Sequence, residues 1–436
     1  MRAGKSPSVS EGKRVLLHAT WELVARYRHA NWALADQVMV SGVNFLTGIL
    51  LARYLGIEEF GRFTLAWMAI LFVSSLQHAM INLPMMSIGP KQPEAEMSTY
   101  YGAVVVQQAV TAVLTFFLVY FGVHLTAIVF PDWNVQSLAL PLAAAGVTIQ
   151  MQDFLRRYFF TRLRGLVAFL SDTVRYLGQL FTLAALLILT ELSMDLNAAL
   201  WIMAVTAGLA AAGSCFFLEP LRWSRPAWNT TFRRHWNFAK WLTPSALMQW
   251  TSGSLFFMTA GVLLGPAAVG ALRAAQTLLG VTHIFFRGME NIVPIRAAEH
   301  LHKHGAEGLS KYLKRVSVLS LLTTVLIAVI LAAAPEFWLN LVFGGGYADQ
   351  GYLVRWYGLI YLLIALIFPL TTGLRTLEHA KPIFWAYVAA SVFALSAAYP
   401  VVKYSGVNGV IAGTLVIQLI MLSTLSKALL KKLRSR

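Results

Sequence analysis

The chain has 436 residues, of which 58% are hydrophobic and 12% are charged, whereas charged residues make up about 25% of an average soluble domain. This composition excludes a soluble protein of several domains, because so much apolar surface cannot be kept out of water. The net charge of +16 would suit a nucleic-acid-binding protein if the chain were soluble. The basic residues lie between apolar segments, however, where membrane topology places them. We therefore expect a membrane protein with no nucleic-acid partner.

Twelve apolar runs, each long enough to cross a bilayer as a helix, follow one another along the chain. These predicted spans 1 to 12 cover residues 33–55, 60–83, 101–130, 137–156, 165–189, 197–218, 238–264, 267–296, 316–334, 353–375, 383–402 and 408–427. No segment between them is long enough to fold as a soluble catalytic domain. The single cysteine, Cys215, excludes a disulfide framework and a thiolate metal site, and we expect neither a metal nor another cofactor.

The spans divide the chain into five segments. We predict a basic amphipathic segment at 1–32, a six-helix bundle at 33–218, a linker at 219–237, a second six-helix bundle at 238–427 and a basic tail at 428–436. Residues 12–29 suit an amphipathic surface helix and a solvated basic tail equally well. No secretory signal is visible before the first span, so we expect this span to be retained.

The distribution of basic residues predicts the orientation of the chain. Of the 35 Lys and Arg residues, 28 lie in the terminal segments and in the connections that follow the even-numbered spans up to span 10. Only five lie at the opposite ends of the spans: Arg53, Arg62, Arg273, Arg355 and Lys403. Because cytoplasmic loops are enriched in Lys and Arg, we predict that both termini are cytoplasmic.

A short pattern occurs twice, at a constant offset of 209 residues. The matching positions are Leu55-Gly56 and Leu264-Gly265, Gly61 and Gly270, and Asn82 and Asn291, with Pro84 and Pro294 close behind. This offset maps span 1 onto span 7 and span 2 onto span 8. We predict two six-helix repeats of the same orientation around a central cavity, as in transporters whose halves are related by an axis along the membrane normal.

Span 8 carries its polar residues on one helical face. They are separated by steps of three and four: Arg273, Gln276, Gly280, His283, Arg287 and Glu290. Because charged side chains are costly in lipid, this stripe is expected to face a wet cavity. Arg287 and Glu290 are three residues apart and could instead neutralise each other.

Other spans carry fewer polar groups, and spans 9 to 12 are nearly free of charge. Span 1 has Gln37, Ser41, Asn44 and Gly48 on one face, with Asp36 beside it, and span 7 contains Gln249. In span 5, Arg175 could contact substrate or form a structural ion pair with Asp172. In span 4, Asp153, Arg156 and Arg157 indicate an interface anchor, and His78 could be linked to protons or simply packed.

Residues 33–90 carry a familiar pattern: Ala35-Asp36, Asn44-Phe45-Leu46, Leu51-Ala52-Arg53-Tyr54-Leu55-Gly56 and Glu59-Phe60-Gly61. This pattern resembles the opening of the polysaccharide-biosynthesis flippases, the O-antigen and exopolysaccharide branch of the multidrug/oligosaccharidyl-lipid/polysaccharide (MOP) exporter superfamily. The resemblance implies a protein of the bacterial inner membrane, not an enzyme, that moves undecaprenyl-pyrophosphate-linked glycans to the outer leaflet. It also implies arginines in the central cavity, some of them on the eighth span, and a polysaccharide polymerase or export machinery as a partner.

Three functions compete at this point. The leading hypothesis is a lipid-linked oligosaccharide flippase that works by alternating access. The second is a multidrug or small-metabolite exporter of the same superfamily, whose cationic substrates would need a cavity carboxylate. The third is a polytopic glycan polymerase or ligase using Glu58 and Glu59, which is disfavoured because the turn from Gly56 to Gly61 is too short to cradle a substrate.

The predicted site follows from the leading hypothesis. We predict that substrate is bound by Arg273, Gln276, His283, Arg287, Glu290, Arg175, Asn44, Gln37 and Gln249. The candidates for coupling transport to an ion gradient are Asp36, His78 and His283. The arginines suit an anionic lipid, because their planar forks bind phosphate through two hydrogen bonds and stay charged when partly desolvated.

Overall fold

The computed structural model describes residues 28–189 and 195–435. Within these ranges the regular structure is helical throughout, and no strand occurs. The surface segment predicted at 12–29 lies outside the described residues, apart from its last two positions. The expectation of an all-α membrane protein is confirmed.

The first half of the chain forms spans 1 to 6. Its α-helices are Arg28–Gln77, Leu83–Ile88, Glu94–Val129, Ala139–Thr161, Gly165–Asp172, Gly178–Leu189 and Leu196–Cys215. Two π-helical segments, His78–Asn82 and Thr173–Leu177, interrupt spans 2 and 5. Short 3₁₀ turns lie at Gly89–Lys91, Pro131–Trp133 and Gln136–Leu138.

The second half forms spans 7 to 12. Its α-helices are Arg225–Leu264, Pro266–Leu279, Val281–Ala333, Pro335–Phe343, Gly351–Thr376 and Lys381–Arg434, with a 3₁₀ segment at Gly345–Gln350. In the part of the chain described, eight helices are long and apolar enough to cross a membrane. Three of these contain two spans each, because they turn back at glycines.

The turning glycines are Gly56, Gly305 and Gly406, whose φ angles are 76°, 62° and 56°. A residue with a Cβ atom rarely adopts this left-handed backbone, whereas glycine does so at little cost. Each glycine therefore ends one span and starts the next with no intervening loop. Splitting the three helices here, and counting the interrupted span 5, recovers the twelve predicted spans within the described residues.

The spans have two kinds of ends. We call the end of the bundle that holds residues 28, 89–93, 162–164, 216–224, 305, 377–380 and 435 the basic face, and the end that holds residues 56, 130–138, 265, 344–350 and 406 the hairpin face. Both ends of the described chain lie at the basic face. This agrees with an even number of spans.

The halves meet at the hairpin face through a reciprocal glycine contact, which we call the glycine seam. A Cβ atom added to Gly61 would lie 1.8 Å from the carbonyl oxygen of Pro266, and one added to Gly270 would lie 1.9 Å from that of Ile57. Ile57 and Pro266 are themselves separated by the repeat offset of 209 residues. The sequence repeat is therefore a structural one, in which equivalent backbones touch across the boundary.

Two further hydrogen bonds join the halves beside this seam. The Tyr347 hydroxyl donates to the carbonyl oxygen of Ala52 at 2.8 Å, and Arg53 Nη1 donates to that of Leu341 at 3.3 Å. Both connect the end of span 1 to the segment between spans 9 and 10. The hairpin face is thus closed by contacts with backbone oxygens.

The outer surfaces of spans 3 and 9 are strongly apolar. Large side chains such as Leu114, Phe121, Leu322 and Leu326 are more than 60% exposed. A soluble protein rarely exposes such patches, whereas lipid chains cover them in a bilayer. The chain is a multi-pass membrane protein.

Candidate substrate cavity

A cavity of about 480 Å³ lies between the two halves. Spans 1, 2 and 8 form most of its wall, and Met203 of span 6 and Tyr361 of span 10 complete it. Among the predicted binding residues, those that line it are Gln37, Asn44, Arg273, Gln276, His283 and Arg287. The sequence patterns of spans 1 and 8 thus converge on one space.

The span 8 stripe faces this cavity as its spacing predicts. All its members from Arg273 to Arg287 line the wall. Arg287 Nη1 also donates to Glu290 Oε2 at 3.0 Å, and the two side chains are 55% and 48% exposed. Both interpretations of this pair therefore hold, since Arg287 reaches the cavity while pairing with a residue of its own helix.

Arg273 lies at the deep end of the stripe. Its Nη1 donates to Gln276 Oε1 at 2.7 Å, and no carboxylate of the described residues lies within 4.0 Å of it. The Tyr361 hydroxyl donates to the Gln276 carbonyl oxygen at 3.4 Å and lies 3.0 Å from His283 Nε2. Tyr361 therefore contacts span 8 at two points, the backbone of Gln276 and the imidazole of His283.

Sequence reasoning missed Tyr361 because span 10 reads as a nearly uncharged apolar run. Its hydroxyl was the available signal, since a buried tyrosine usually hydrogen-bonds to a polar partner. Tyr361 is fully buried. Span 10 thus contributes to the cavity through a neutral group.

An aromatic ladder on span 2, formed by Phe60, Phe63 and Trp67, also lines the cavity. The ring centroids of Phe60 and Phe63 are 6.2 Å apart, and those of Phe63 and Trp67 are 6.0 Å apart, both in stacked geometry. The cavity therefore combines one cationic wall with one aromatic wall. In so hydrophobic a chain, nothing distinguished these rings from lipid-facing ones.

Three predicted binding residues do not line the cavity: Glu290, which pairs with Arg287, and Gln249 and Arg175. Gln249 Nε2 donates to the Tyr387 hydroxyl at 3.3 Å, and no described residue of span 7 lines the wall. Arg175 is buried within the first half, where its Nη1 donates to Gln152 Oε1 at 2.6 Å. The expectation that span 7 helps to form the cavity is corrected accordingly.

The expected ion pair between Asp172 and Arg175 is also corrected. Asp172 Oδ2 accepts from Arg156 Nε at 2.5 Å, and Arg156 Nη2 donates to Asp36. The π-helical segment Thr173–Leu177 starts between Asp172 and Arg175, and its wider turn changes the angle between side chains three apart. Arg156 is therefore the centre of a buried network that joins spans 1, 4 and 5, and not an interface anchor.

The coupling candidate His78 lies apart from the cavity, in the π-helical segment of span 2. Close by in sequence, Asn82 Nδ2 donates to Asp153 Oδ2 at 3.0 Å. Arg157 Nε donates to the same oxygen at 2.9 Å. Asp153 and Arg157 thus belong to the packing of the first half, while His283 is the coupling candidate that lines the cavity.

The charge of the cavity decides which ligands it can hold. Its described lining residues include two arginines and no aspartate or glutamate. A desolvated cation would meet repulsion here without a compensating carboxylate. A phosphate could bind a guanidinium group at either end of the stripe, at Arg273 or at Arg287, through charge-assisted hydrogen bonds.

Comparison with known proteins agrees with this architecture. Residues 244–399 match the MatE family. The solved structure titled "Inward-facing conformation of a multidrug resistance MATE family transporter of the MOP superfamily" has a TM-score of 0.66 at 13% identity, covering 89% of this chain and 94% of that one. The chain has the fold of this transporter. The search of curated proteins by sequence found no match.

A lipid flippase has a similar fold as well. "Lipid II flippase MurJ, inward closed conformation" matches with a TM-score of 0.68 at 11% identity, covering 93% of this chain and 88% of that one. The outward-facing MATE structure scores lower, at 0.56 with 12% identity and coverages of 93% and 92%. These neighbours are transporters and not enzymes.

The cavity opens toward the basic face. Leu51 and Phe60, near the hairpin face, are at most 2% exposed, whereas the side chain of Arg287 at the other end is 55% exposed. The glycine seam closes the hairpin side. The structure thus represents the conformation that is open to the face bearing the termini.

Proposed function

We propose that the protein exports an anionic amphiphile from the cytoplasmic to the outer leaflet by alternating access, and that this substrate is a polyprenyl-pyrophosphate-linked oligosaccharide. The observation that carries the proposal is a cavity lined by Arg273 and Arg287 with no carboxylate among its described lining residues. In this proposal the basic face is cytoplasmic, the membrane is the bacterial inner membrane, and the polyprenyl chain stays in lipid.

The two arginines would contact the pyrophosphate at different depths of the cavity. They are fourteen residues apart on span 8, which corresponds to about 20 Å along helical structure at 1.5 Å per residue. A pyrophosphate is too short to contact both at once. Arg287, at the exposed end, would therefore receive it, and Arg273, next to Gln276 and Tyr361, would hold it deeper.

The aromatic ladder would bind the sugars of the substrate. Sugar rings present apolar C–H faces that can pack against aromatic rings, while their hydroxyl groups need polar partners. Gln37, Asn44 and Gln276 line the same cavity and can provide such partners. A phosphorylated glycan therefore matches both walls, whereas a simple inorganic anion would use only one of them.

A multidrug or small-metabolite exporter is the second candidate, and the comparisons favour it, since residues 244–399 match the MatE family and several neighbours are multidrug transporters. The cavity charge restricts its substrates to anionic or neutral amphiphiles. A glycan polymerase or ligase is disfavoured further. Its proposed catalytic acids, Glu58 and Glu59, both form ion pairs with Arg62, at 2.8 and 2.7 Å.

Coupling to an ion gradient remains part of the proposal. His283 contacts Tyr361 at the cavity wall, so a proton bound there would act directly on substrate. Asp36 acts at a distance, because its ion pair with Arg156 connects span 1 to span 4. A partner polymerase or export complex would receive the flipped glycan at the hairpin face.

A strain that lacks the gene tests the proposal. We expect undecaprenyl-linked glycan to accumulate facing the cytoplasm, and wild-type protein to reverse this accumulation. Arg273→Ala and Arg287→Ala should fail to reverse it at normal protein level. Arg296→Ala is the matched control, because Arg296 is a 63% exposed arginine near the basic end of the same helix and outside the cavity wall.

Three other outcomes would contradict this proposal. Unchanged lipid-linked glycan together with new sensitivity to amphiphilic drugs would favour the multidrug exporter. Accumulation of flipped but unpolymerised units would favour the enzyme. Full complementation by both cavity arginine variants would show that the cavity does not bind pyrophosphate.

A further inference from the structure

The helix that opens the second half begins well before its membrane span. It runs from Arg225 to Leu264 over 40 residues, which corresponds to about 60 Å at 1.5 Å per residue, whereas the hydrocarbon core of a bilayer is about 30 Å thick. Ser224 caps its start, since the Ser224 hydroxyl accepts a hydrogen bond from the Ala227 amide at 3.3 Å. The first turns of this helix therefore lie outside the hydrocarbon.

A contact with the first half fixes the depth of these turns. The Gln92 side-chain amide accepts a hydrogen bond from Arg234, and residues 89–93 belong to the basic face. Arg234 is thus level with the boundary between the membrane and water. The residues within two turns of Arg234 lie at the depth of the lipid headgroups.

One face of this part of the helix is packed against the first half. Thr231, His235 and Ala239, at steps of four residues, are buried, and His235 Nε2 lies 3.0 Å from the Tyr100 hydroxyl of span 3. Successive residues of a helix are rotated by about 100°. The residues that follow each of these three therefore point away from the packed face.

These outward residues form a surface that we call the basic-aromatic patch: Phe232, Trp236, Lys240 and, next to Phe232, Arg233. The two aromatic side chains are 51% and 53% exposed, and both cations are exposed as well. The same face continues into the span, because Met258 lies about five helical turns beyond Lys240 and is an exposed apolar side chain. The patch is therefore on the lipid-facing side of the helix.

The cations of the patch have no acidic counterpart. No Asp or Glu occurs from 220 to 289 in the sequence, and neither Arg233 nor Lys240 forms an ion pair with a described residue. By contrast, Lys303 and Lys311 at the basic face pair with glutamates of their own helix, at 2.6 and 2.7 Å. Unpaired cations beside aromatic rings at headgroup depth match lipids of net negative charge, because Lys and Arg bind an anionic membrane surface and Trp favours the interface.

We propose that the basic-aromatic patch binds anionic phospholipids of the leaflet at the basic face. Arg233 and Lys240 contact the headgroup phosphates, Lys240 by extending its side chain from a deeper level, while the rings of Phe232 and Trp236 lie between the headgroups. A zwitterionic headgroup fits less well, because its ammonium group meets two cations and no carboxylate. Since this helix follows the connection between the halves, the bound lipids anchor the start of the second half at the membrane surface.

Photo-crosslinking in bilayer discs tests this surface whatever the transported substrate is. A benzophenone amino acid replaces Trp236 in the full chain, the discs contain equal amounts of phosphatidylglycerol and phosphatidylethanolamine, and mass spectrometry identifies the crosslinked lipid. We expect phosphatidylglycerol adducts to dominate, and this preference to fall about fivefold for each cation removed by Arg233→Gln or Lys240→Gln. High salt should weaken the preference in the chain without these substitutions, since exposed charges are screened.

Two matched controls separate the patch from the general charge of the basic face. The pair Lys303→Gln, Lys311→Gln removes as much charge at the same face, but from residues paired with glutamates, and should leave the preference unchanged. The same crosslinker in place of Leu163, which is 64% exposed between two arginines engaged by other groups, should show a weaker preference. Absence of lipid adducts at position 236, equal yields of the two lipids there, a preference that survives removal of both cations, or an equal preference at position 163 would overturn the proposal.

Discussion

The two halves of the molecule use arginines inside the membrane in opposite ways. In the first half, Arg156 lies between the carboxylates of Asp36 and Asp172, so that its charge is neutralised within the packing. In the second half, Arg273 faces a cavity and donates to the neutral side chain of Gln276, with no carboxylate of the described residues paired to it. The difference shows that the partners of an arginine inside the membrane, and not its depth, separate a structural role from a binding role.

We expect the largest effect, a loss of stability, when the ion-pair network around Arg156 is disrupted. Arg156→Met leaves Asp36 and Asp172 buried without their cation, and removal of one partner of a buried ion pair costs about 3–5 kcal/mol. We expect little folded protein and a strongly lowered midpoint of thermal unfolding in detergent. The triple variant with Asp36→Asn and Asp172→Asn should recover much of this loss. A stable Arg156→Met protein would show that the network does not hold spans 1, 4 and 5 together.

The next largest effect concerns substrate binding by Arg273. Arg273→Met removes a charge that no carboxylate of the described residues pairs with, so we expect the thermal stability in detergent to stay the same or to rise. Binding of a lipid pyrophosphate should weaken by about tenfold or more, because hydrogen bonds to charged groups contribute about 1.5–3 kcal/mol. Both quantities can be measured on one preparation. Destabilisation with unchanged binding would give Arg273 the role assigned here to Arg156.

A smaller effect separates the two walls of the cavity. Trp67→Ala removes one ring of the aromatic ladder but leaves Arg273 and Arg287 in place. We expect weaker binding of pyrophosphate lipids that carry several sugars and unchanged binding of the same lipid without sugars. Leu71→Ala, on the same helix and cavity wall, controls for lost apolar contact. Equal losses for both lipids would argue against sugar stacking.

The smallest effect concerns Tyr361. Tyr361→Phe keeps the ring and removes the hydroxyl that contacts Gln276 and His283. A neutral hydrogen bond contributes about 0.5–1.5 kcal/mol, so substrate affinity should fall by less than about tenfold. The measurement is a titration of the purified variant against a lipid pyrophosphate. A loss as large as that of Arg273→Met would make Tyr361 a direct substrate contact.

Periodicity explains how much of this architecture could be predicted. The apolar runs gave the spans, and the three- and four-residue steps from Arg273 to Arg287 placed one wall of the cavity, because both patterns follow from the pitch of a helix. The repeat offset also identified Gly61 and Gly270 as equivalent positions, and the structure shows that they touch. These features depend on residues that are close in sequence or related by one constant shift.

Features that depend on distant packing or on a local change of pitch could not be predicted in the same way. The ion pair expected for Arg175 assumed a regular helix, which the π-helical segment Thr173–Leu177 interrupts. Gln249 was assigned to the cavity as a polar residue within span 7, but it contacts Tyr387 of span 11. The rings of the aromatic ladder could not be distinguished from lipid-facing rings, because most residues of the chain are apolar.

The glycine seam has a consequence for how the closed hairpin face responds to its surroundings. Gly61 and Gly270 contact backbone oxygens, and the neighbouring donors Tyr347 and Arg53 also end on backbone oxygens. None of these four contacts uses a carboxylate, so none is an ion pair that dissolved salt would screen or that acid would protonate. The equilibrium between closed and open hairpin faces should therefore be nearly independent of ionic strength. The steric fit of the two backbones at Gly61 and Gly270 determines the stability of the closed state.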